Sequence, residues 1–297
     1  MDVTQLKTLR MLDQLGSLRA VAQALYVSPS AVSQHLTQLQ QEAGEPLTRK
    51  VGRRLELTEA GRRVSDAAQA VFSAMEVTRA TLHGAGTTET VKVSMFHSVG
   101  PVLAPALMPL PNVMVSDEDV SMDDFPALTI SHDVVVAHRV DDSEPWPTTV
   151  SSVELLREPF DIALPWDHPL AKASELKPED LAEESWVSSR PGYSPADIVR
   201  HVSAAAHHPV KVVHRINDYA TVAALVAAGA GSGGGVVAAL PRHTAASLAP
   251  SGVVLRPMAG RPHERVIEAL CQPQALHRPA VAQVLSTLKE ALEHLAE

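Results

Sequence analysis

The chain has 297 residues and a formal net charge of −9, with 45% hydrophobic, 20% charged and 3% aromatic residues. This length accommodates a large domain and a small one, and the composition is that of a globular protein, which excludes a wholly disordered chain. The single cysteine, Cys271, excludes an internal disulfide framework and a cysteine-rich zinc site. The scarcity of aromatic residues argues against a surface built on base stacking.

The sequence begins without a basic segment followed by an apolar one. Its longest apolar stretch, residues 220–230, is short and interrupted by glycine, so it is not expected to cross a bilayer. We therefore expect a cytoplasmic protein with no membrane partner. No residue pattern predicts a metal site or a bound cofactor.

Charge is distributed unevenly along the chain. Residues 1–65 contain nine Lys or Arg and six Asp or Glu, a net charge of +3, which leaves −12 for the remainder. A basic N-terminal region on an acidic body is expected when one domain alone contacts a polyanion.

Three short helices are predicted at the N-terminus. Leucines at helical spacing predict a helix over residues 4–15, and Ser17 and Ser28 are good caps for a second and a third helix. The third helix is expected to end near Ala43-Gly44 and to present an outward face of Ser, Thr and Gln. Such uncharged polar side chains suit base edges in the major groove, which predicts a helix-turn-helix. A plain three-helix bundle with a polar surface is the alternative.

Residues 47–58 predict a basic β-hairpin. Two β-prone segments flank Gly52, and four cations surround the turn, as expected for a wing that contacts phosphates. The cations are Arg49, Lys50, Arg53 and Arg54. A solvated charged turn is the alternative.

A long helix is predicted to follow Thr58 and to end at a linker over residues 84–88. Its apolar positions are spaced by four and three residues, which is typical of a heptad seam. Because a helix between two domains has no core to face, we expect this seam to bury against a second copy of the chain, although a core-facing helix gives a similar pattern. The seam comprises Val64, Ala68, Val71, Met75, Thr78 and Leu82.

From Val91 onward, short strand candidates alternate with helices, which predicts an α/β domain with a mainly parallel sheet. Cys271 ends a strand-like run over residues 266–271 and is expected to be a small buried hydrophobic residue. A last amphipathic helix is predicted from Pro279.

At this point the chain resembles the LysR-type transcriptional regulators over essentially its whole length. The segment LGSLRAVAQALYVSPSAVSQHLTQLQQEAGEPLTRKVGRRLELTEAG, residues 15–61, is highly specific for that family. Weaker similarity is found in PFDIALPWDHPLA (159–171), SWVSSRPGYS (185–194), NDYATVAALVAAGAG (217–231) and ALPR (239–242).

The resemblance implies a multidomain protein with an all-α winged helix-turn-helix domain, a linker dimerisation helix and an α/β effector domain of periplasmic-binding-protein type. In that fold, two subdomains hold a small co-inducer in the cleft between them. The implied boundaries are 1–58 for the DNA-binding domain, 59–88 for the linker helix and 89–297 for the effector domain, with subdomain I at about 89–160 and 262–297 and subdomain II at about 161–261.

The resemblance also implies which residues contact DNA, and this sequence departs from the family pattern in places. Pro29-Ser30 replaces the usual Gln-Pro pair, Gln34 replaces an arginine, and Thr48 replaces the wing phenylalanine. The amide of Gln34 favours adenine over the guanine that an arginine prefers. The predicted DNA-binding residues are Ser28, Ser30, Ser33, Gln34, Gln38, Arg49, Lys50, Arg53 and Arg54.

Four loops that follow strands and precede helices are candidates for the ligand cleft. Cations beside helix N-termini favour a small anionic metabolite. Alternatively, Ser98 and Asp218 cap helices and Arg139 pairs with Asp141 or Asp142. An apparent insertion at Ser232–Gly235 also distinguishes this region. The predicted ligand-binding residues are His97, Ser98, His138, Arg139, Arg190, Ser194, Asp218 and Tyr219.

These features predict a dimeric or tetrameric DNA-binding transcriptional regulator that reads an imperfect palindrome in double-stranded DNA and senses a small-molecule effector. RNA polymerase is a further candidate partner. The sequence contains no GxSxG, HExxH or Walker motif and no GxGxxG after a strand, so an enzyme is not expected. The alternative is a small-molecule binding protein or enzyme whose N-terminal helices only mediate assembly.

Overall fold

The computed structural model describes residues 1–52, 54–83, 89–141, 143–231, 235–245, 251–260 and 263–296. Arg53, Asp142, the predicted linker at residues 84–88 and residues 232–234 of the apparent insertion lie outside the described residues. The described part contains three separate clusters of buried apolar residues, one in the N-terminal region and two in the remainder. Within it, every helix is too short or too polar to traverse a lipid bilayer.

The N-terminal region contains the three predicted helices. They are α1 (Val3–Leu15), α2 (Leu18–Leu25) and α3 (Pro29–Ala43). The hydroxyls of Ser17 and Ser28 accept hydrogen bonds from backbone N–H groups in the first turns of α2 and α3. These caps satisfy donors that a helix start leaves unpaired, so both helices begin where the sequence predicts. The helix-turn-helix is therefore confirmed.

A hairpin follows, formed by β1 (Thr48–Val51) and β2 (Arg54–Leu57) in antiparallel register. Helix α4 (Glu59–His83) then packs directly on the base of this hairpin. A Cβ atom added at Gly61 would lie 2.0 Å from the backbone oxygen of Leu47, so only glycine permits this approach.

The start of α4 corrects one part of the linker prediction. Ala68 is 2% exposed and belongs to the N-terminal core, and Val64 packs against that core. The helix therefore does have a core to face over its first turns. Val71 and Met75 are each 40% exposed and Leu82 is 76% exposed, so these three positions remain accessible. Their role in self-association stays a prediction.

The remaining strands form one nine-stranded sheet with the path β4-β3-β5-β11-β6-β9-β7-β8, to which β10 adds by pairing with β6. The strands are β3 (Val91–Met95), β4 (Val113–Asp117), β5 (Val134–Val140), β6 (Ser151–Pro165), β7 (Ser185–Ser188), β8 (Lys211–Arg215), β9 (Val237–Pro241), β10 (Val253–Pro257) and β11 (Glu264–Cys271). The helices are α5 (Gly100–Leu107), α6 (Phe125–Leu128), α7 (Ser194–Ala205), α8 (Tyr219–Ala228) and α9 (Pro279–Ala296).

The expectation of a mainly parallel sheet was wrong, because the sheet is mixed. Strands β3 and β7 pair in parallel with both neighbours, whereas every pair that involves β6 or β11 is antiparallel. A parallel crossover needs a long connection, usually a helix. The segments that lead into β6 and β11 contain no described helix, and periodicity alone does not reveal the direction of a strand.

Strands β6 and β11 connect two halves of the sheet. The first part of β6 pairs with β11, and its last part, from Phe160 onward, pairs with β9 and β10. One apolar core includes Val93, Phe125 and Leu288, and the other includes Ile162, Trp186 and Val222. The two halves therefore meet near Glu158. The segments that follow β3 and β7 lie at that junction, since Ser98 contacts Arg265 and Ser194 contacts His138.

Candidate DNA-binding surface and ligand cleft

The outward face of α3 is polar, uncharged and exposed. Ser28, Ser30, Ser33, Gln34 and Gln38 are all exposed, as the sequence predicts. Two of these side chains already form hydrogen bonds within the helix start. The Ser28 hydroxyl accepts from the Ala31 N–H and lies 2.8 Å from the Ser30 hydroxyl. Ser33 and Gln34 project from the next turn, and no hydrogen bond engages their side chains within the described residues.

Helix α1 fixes the orientation of α3 from behind. The Gln5 amide donates to the Gln38 side-chain oxygen at 3.1 Å, and the Thr8 hydroxyl lies 3.2 Å from Nδ1 of His35. Gln38 is therefore partly committed to holding α3 in place. This contact joins residues 33 positions apart, so the local pattern did not reveal it.

Tyr26 is a candidate contact that the sequence reasoning missed. Its side chain is 96% exposed and lies in the turn between α2 and α3. Its φ of 56° lies in the left-handed region that non-glycine residues rarely adopt. An aromatic residue so placed can reach a DNA backbone or base edge beside Ser28. The sequence could have indicated this contact, because Tyr26 is an aromatic residue in the turn between the two helices of the helix-turn-helix.

The hairpin is anchored to the recognition helix. The Gln40 side-chain oxygen accepts from the backbone N–H of Leu47 at 3.0 Å and from that of Thr48 at 3.1 Å. Arg49 lies 3.6 Å from Glu56 across the hairpin, and Lys50 is exposed. Arg53 and the side chain of Arg54 lie outside the described residues.

Basic and acidic side chains meet in pairs at the mouth of the cleft between the two halves of the sheet. His97 Nε2 lies 3.0 Å from Asp218 Oδ2, and His97 Nδ1 lies 3.6 Å from Asp117. Arg190 pairs with Asp119 at 3.0 Å. Asp218 also caps α8, as one sequence alternative held, and the hydrogen bond from the Thr221 hydroxyl holds the pKa of Asp218 below its usual range.

The centre of the cleft contains a buried ion pair that the sequence reasoning missed. Arg265 Nε donates to Glu158 Oε2 at 2.9 Å, and both side chains are buried. The remaining guanidinium nitrogens donate to Ser98 Oγ at 3.1 Å and to Thr244 Oγ1 at 2.6 Å. The guanidinium carbon of Arg265 lies 5.8 Å from the ring centre of Tyr219. Arg265 thus joins residues of both halves.

Ser98 therefore serves a different purpose from the predicted cap. No side-chain cap precedes its helical turn, and its hydroxyl accepts from Arg265 instead. The alternative that Ser98 caps a helix was therefore wrong. The sequence could not show its partner, because Arg265 lies 167 residues away.

His138 is buried beside this ion pair. Its ring lies between those of Phe96 and Phe125, with ring centres 4.7 and 5.4 Å away, and its Nδ1 is 3.3 Å from the Ser194 hydroxyl. Burial, reinforced by the charge of Arg265, lowers the pKa of His138 to about 3. His138 is therefore a neutral hydrogen-bonding group at physiological pH and cannot supply a cation for an anionic ligand.

Arg139 points to the opposite face of β5, so its predicted place in the cleft was wrong. Its Nε donates to Glu268 Oε2 at 2.7 Å, and Trp146 Nε1 donates to the same oxygen at 2.7 Å. Of the alternative partners, Asp141 contacts Arg157, and Asp142 lies outside the described residues. Successive strand residues face opposite sides of a sheet, which separates His138 from Arg139.

The chain has the architecture of a DNA-binding regulator with a separate ligand-binding domain. The family model "Bacterial regulatory helix-turn-helix protein, lysR family" matches residues 3–62, and the model "LysR substrate binding domain" matches residues 84–293. The chain therefore belongs to the LysR family. It is a DNA-binding transcriptional regulator with an effector-binding domain.

Individual relatives agree with this assignment. The chain is 26% identical to the HTH-type transcriptional regulator XapR of Escherichia coli, over 87% of this chain and 89% of XapR. It is 23% identical to a hydrogen peroxide-inducible genes activator of Pectobacterium carotovorum, over 100% of this chain and 99% of the relative.

Solved structures show the same fold. A full-length OxyR variant from Pseudomonas aeruginosa matches with a TM-score of 0.64 and 21% identity, covering 97% of this chain and 95% of OxyR. The regulator CbnR in complex with its target DNA matches with a TM-score of 0.52 and 19% identity, covering 98% and 99% of the two chains.

Proposed function

We propose that this regulator reads an imperfect palindrome through α3, with Gln34 as the principal base-reading residue. The observation that carries the proposal is the exposed, uncharged face of α3, on which no described partner engages the Gln34 side chain. Its amide both donates and accepts, which matches the N6 and N7 atoms of adenine. We propose that Ser28, Ser30, Ser33, Gln38 and Tyr26 make further DNA contacts and that the hairpin cations Arg49, Lys50, Arg53 and Arg54 contact phosphates.

An electrophoretic mobility shift assay on the promoter next to the regulator's own gene tests this proposal. We expect specific binding at moderate salt and a footprint with two related half-sites about one helical turn apart, ~34–36 Å. The absence of specific binding to that promoter and to any site selected from a random pool would contradict it.

Self-association places two recognition helices on the two half-sites. LysR regulators oligomerise, and we propose Val71, Met75 and Leu82 as the contact surface, because these apolar side chains of α4 are exposed in a single chain. Val64 and Ala68 support the same helix from the N-terminal core. Sedimentation of Met75→Glu tests the surface. A monomer is expected, and an intact dimer would overturn the assignment.

The effector is proposed to bind between the two halves of the effector domain and to carry both donors and acceptors. Three basic side chains at this junction already face carboxylates: His97 faces Asp117 and Asp218, Arg190 faces Asp119, and Arg265 faces Glu158. A simple anion would have to displace one of these carboxylates. A small zwitterion can exchange with both partners of a pair.

A thermal-shift screen of the full-length protein distinguishes these effector classes. Molecules that bind only the folded protein raise its melting temperature. We expect zwitterions to raise it more than anions of equal size, and the increase to disappear in Asp218→Asn. A response confined to anions would overturn the proposed class.

A thiol-based response to peroxide is not proposed, although several relatives are named for peroxide induction. The only cysteine of the chain, Cys271, lies buried in β11, and burial raises its pKa to about 12. The reactive thiolate is therefore scarce at neutral pH. Mass spectrometry after mild peroxide treatment is expected to show unmodified Cys271, and rapid oxidation would contradict this.

The cellular location of the protein can be inferred from the DNA that it binds. A regulator that acts on bacterial promoters works in the cytoplasm, and we propose that location here. We also propose that the effector domain binds its ligand without converting it. Recovery of each thermal-shift ligand unchanged after prolonged incubation tests this proposal.

A further inference from the structure

A cavity of about 530 Å³ lies where the DNA-binding domain, the linker helix and the effector domain meet. Its walls come from α1, from the middle of α4, and from residues near β3, β5 and the start of α9 in the effector domain. This volume is within the range of small-molecule sites. The cavity is remote from the cleft, since Arg265, Glu158 and His97 are not among its lining residues.

Three residues in the wall of this cavity carry buried donors without partners. Among the described residues, Arg10 Nε, Gln14 Nε2 and Arg278 Nε are buried and donate no hydrogen bond. Arg10 is 5% exposed, and its terminal nitrogens donate to Gln69 and, at 2.7 Å, to the Thr149 carbonyl oxygen. Buried donors are nearly always satisfied in native proteins, so three unsatisfied donors in one wall indicate a binding partner that accepts hydrogen bonds.

The cavity is lined by four cations and three carboxylates, and the charge around Arg10 favours an anion. The cations are Lys7, Arg10, Lys92 and Arg278, and the carboxylates are Glu76, Glu89 and Asp133. Arg278 pairs with Asp133 and Glu89, but within the described chain no carboxylate lies within ion-pair distance of Arg10. Lys7 and Lys92 add two exposed cations at the rim. Burial lowers the pKa of Arg10 against the attraction of nearby carboxylates, so an anion placed beside it would relieve the cost of its desolvation.

The other walls of the cavity are apolar. Met11 of α1, Phe72 and Met75 of α4, and Ile130 of the effector domain line it. We propose that this cavity is a second ligand site, which takes a small organic anion. Its carboxylate accepts from Arg10, Gln14 and Arg278, and its short apolar body lies against these side chains.

The site is well placed to influence DNA binding. Helix α1, which supplies Arg10 and Gln14, also holds α3 through the contacts of Gln5 with Gln38 and of Thr8 with His35. A ligand that joins α1 to the effector domain therefore restrains the recognition helix. By linkage, DNA and this ligand must change each other's affinity by the same factor.

Calorimetric titration of the full-length protein with hexanoate tests the site. Hexanamide has the same shape without the charge, and inorganic phosphate has the charge without the apolar body. We expect saturable hexanoate binding, with hexanamide and phosphate at least about tenfold weaker, because hexanamide lacks the charge-assisted hydrogen bonds and phosphate lacks the apolar body. No saturable hexanoate binding, or equal binding of either analogue, would overturn the proposal.

Variants locate the bound anion. Arg10→Gln and Arg278→Gln are expected to weaken hexanoate binding about tenfold or more, and Lys177→Gln, an exposed lysine of the other half, is the matched control. If the arginine variants do not fold, the exposed double variant Lys7→Gln with Lys92→Gln is expected to weaken binding severalfold. Wild-type affinity in all cavity variants would overturn the location.

Fluorescence anisotropy then measures the coupling to DNA. Saturating hexanoate is expected to change the Kd for the regulator's own promoter severalfold in the wild type and not in the cavity variants. An unchanged Kd in the wild type would overturn the coupling.

Discussion

The recognition surface and the effector cleft use their polar side chains in opposite ways. On α3, Ser33 and Gln34 are exposed and uncharged, and no described neighbour engages their side chains. At the cleft, His97, Arg190 and Arg265 each face a carboxylate of another segment. The first surface is preorganised for a partner that is already rigid. The second contains internal pairs, which we propose that an effector replaces.

The largest effect is expected at the buried ion pair of the cleft. Replacing Arg265 with Met leaves the buried Glu158 carboxylate without its cationic partner, which costs about 3–5 kcal/mol of stability. We expect a large drop in the melting temperature of Arg265→Met, partly recovered in the double variant with Glu158→Leu.

The matched control for that prediction is an exposed pair. Arg157 contacts Glu154 and Asp141 at the surface, and Arg157→Met is expected to cost no more than about 1 kcal/mol. Equal stability of Arg265→Met and Arg157→Met would show that the buried pair does not hold the two halves together.

On the recognition surface, Gln34→Ala should cost about 1–3 kcal/mol on the specific site and much less on random DNA. The reason is that a base-reading amide contributes only when the matching base is present. Selection of sites from a random pool is expected to show lost preference at one symmetric pair of positions. Gln23→Ala, an exposed glutamine of α2, is the control. An unchanged consensus would mean that Gln34 does not specify sequence.

The buried His138 predicts a pH dependence that the exposed recognition surface lacks. Its pKa is lowered to about 3 in the folded protein, whereas an unfolded histidine titrates near 6.5. Between these values the unfolded state binds more protons, so stability falls as pH falls below about 6.5. At pH 5 this contribution is about 2 kcal/mol.

Melting temperatures at pH 7 and pH 5 measure that contribution. The loss on acidification is expected to be smaller in His138→Gln than in the wild type and unchanged in His214→Gln, an exposed control on β8. The same loss in both variants would contradict the assignment of this pH dependence to His138.

The contrast between the two regions also explains what the sequence could predict. The caps Ser17 and Ser28, the face of α3 and the hairpin around Gly52 depend on residues within a few positions of one another, so local patterns predicted them. Arg265 and Glu158 are 107 residues apart, and no local pattern joins them. Arg139 was misplaced because it was expected in a loop after Ala137. The structure extends β5 to Val140, and side chains alternate between the two faces along it.

The domain boundaries remain a prediction. The three apolar cores support it in part, because one core lies in the N-terminal region and the other two match the two predicted subdomains of the effector domain. The mixed direction of the sheet could not be predicted, because strand direction depends on which strands pair. Likewise, the pattern along α4 was correctly read as apolar on one side, but the sequence alone could not show that the N-terminal core covers Ala68.

The smallest effect is expected at the wing, where charge rather than shape makes the contact. Lys50 is exposed on β1, and within the described residues no carboxylate pairs with it, whereas its neighbour Arg49 faces Glu56. Each phosphate contact releases counterions and adds about 0.9 to the slope of log affinity against log salt concentration. Lys50→Ala should therefore lower that slope by about one and weaken binding to all sequences alike. The control, Lys177→Ala, should leave the slope unchanged.

The roles of Gln34 and Lys50 can be separated on one DNA fragment. The Gln34 variant should change the base preference at a constant salt slope, and the Lys50 variant should change the salt slope at a constant base preference. A changed base preference in Lys50→Ala would place this lysine in a groove rather than on the phosphates.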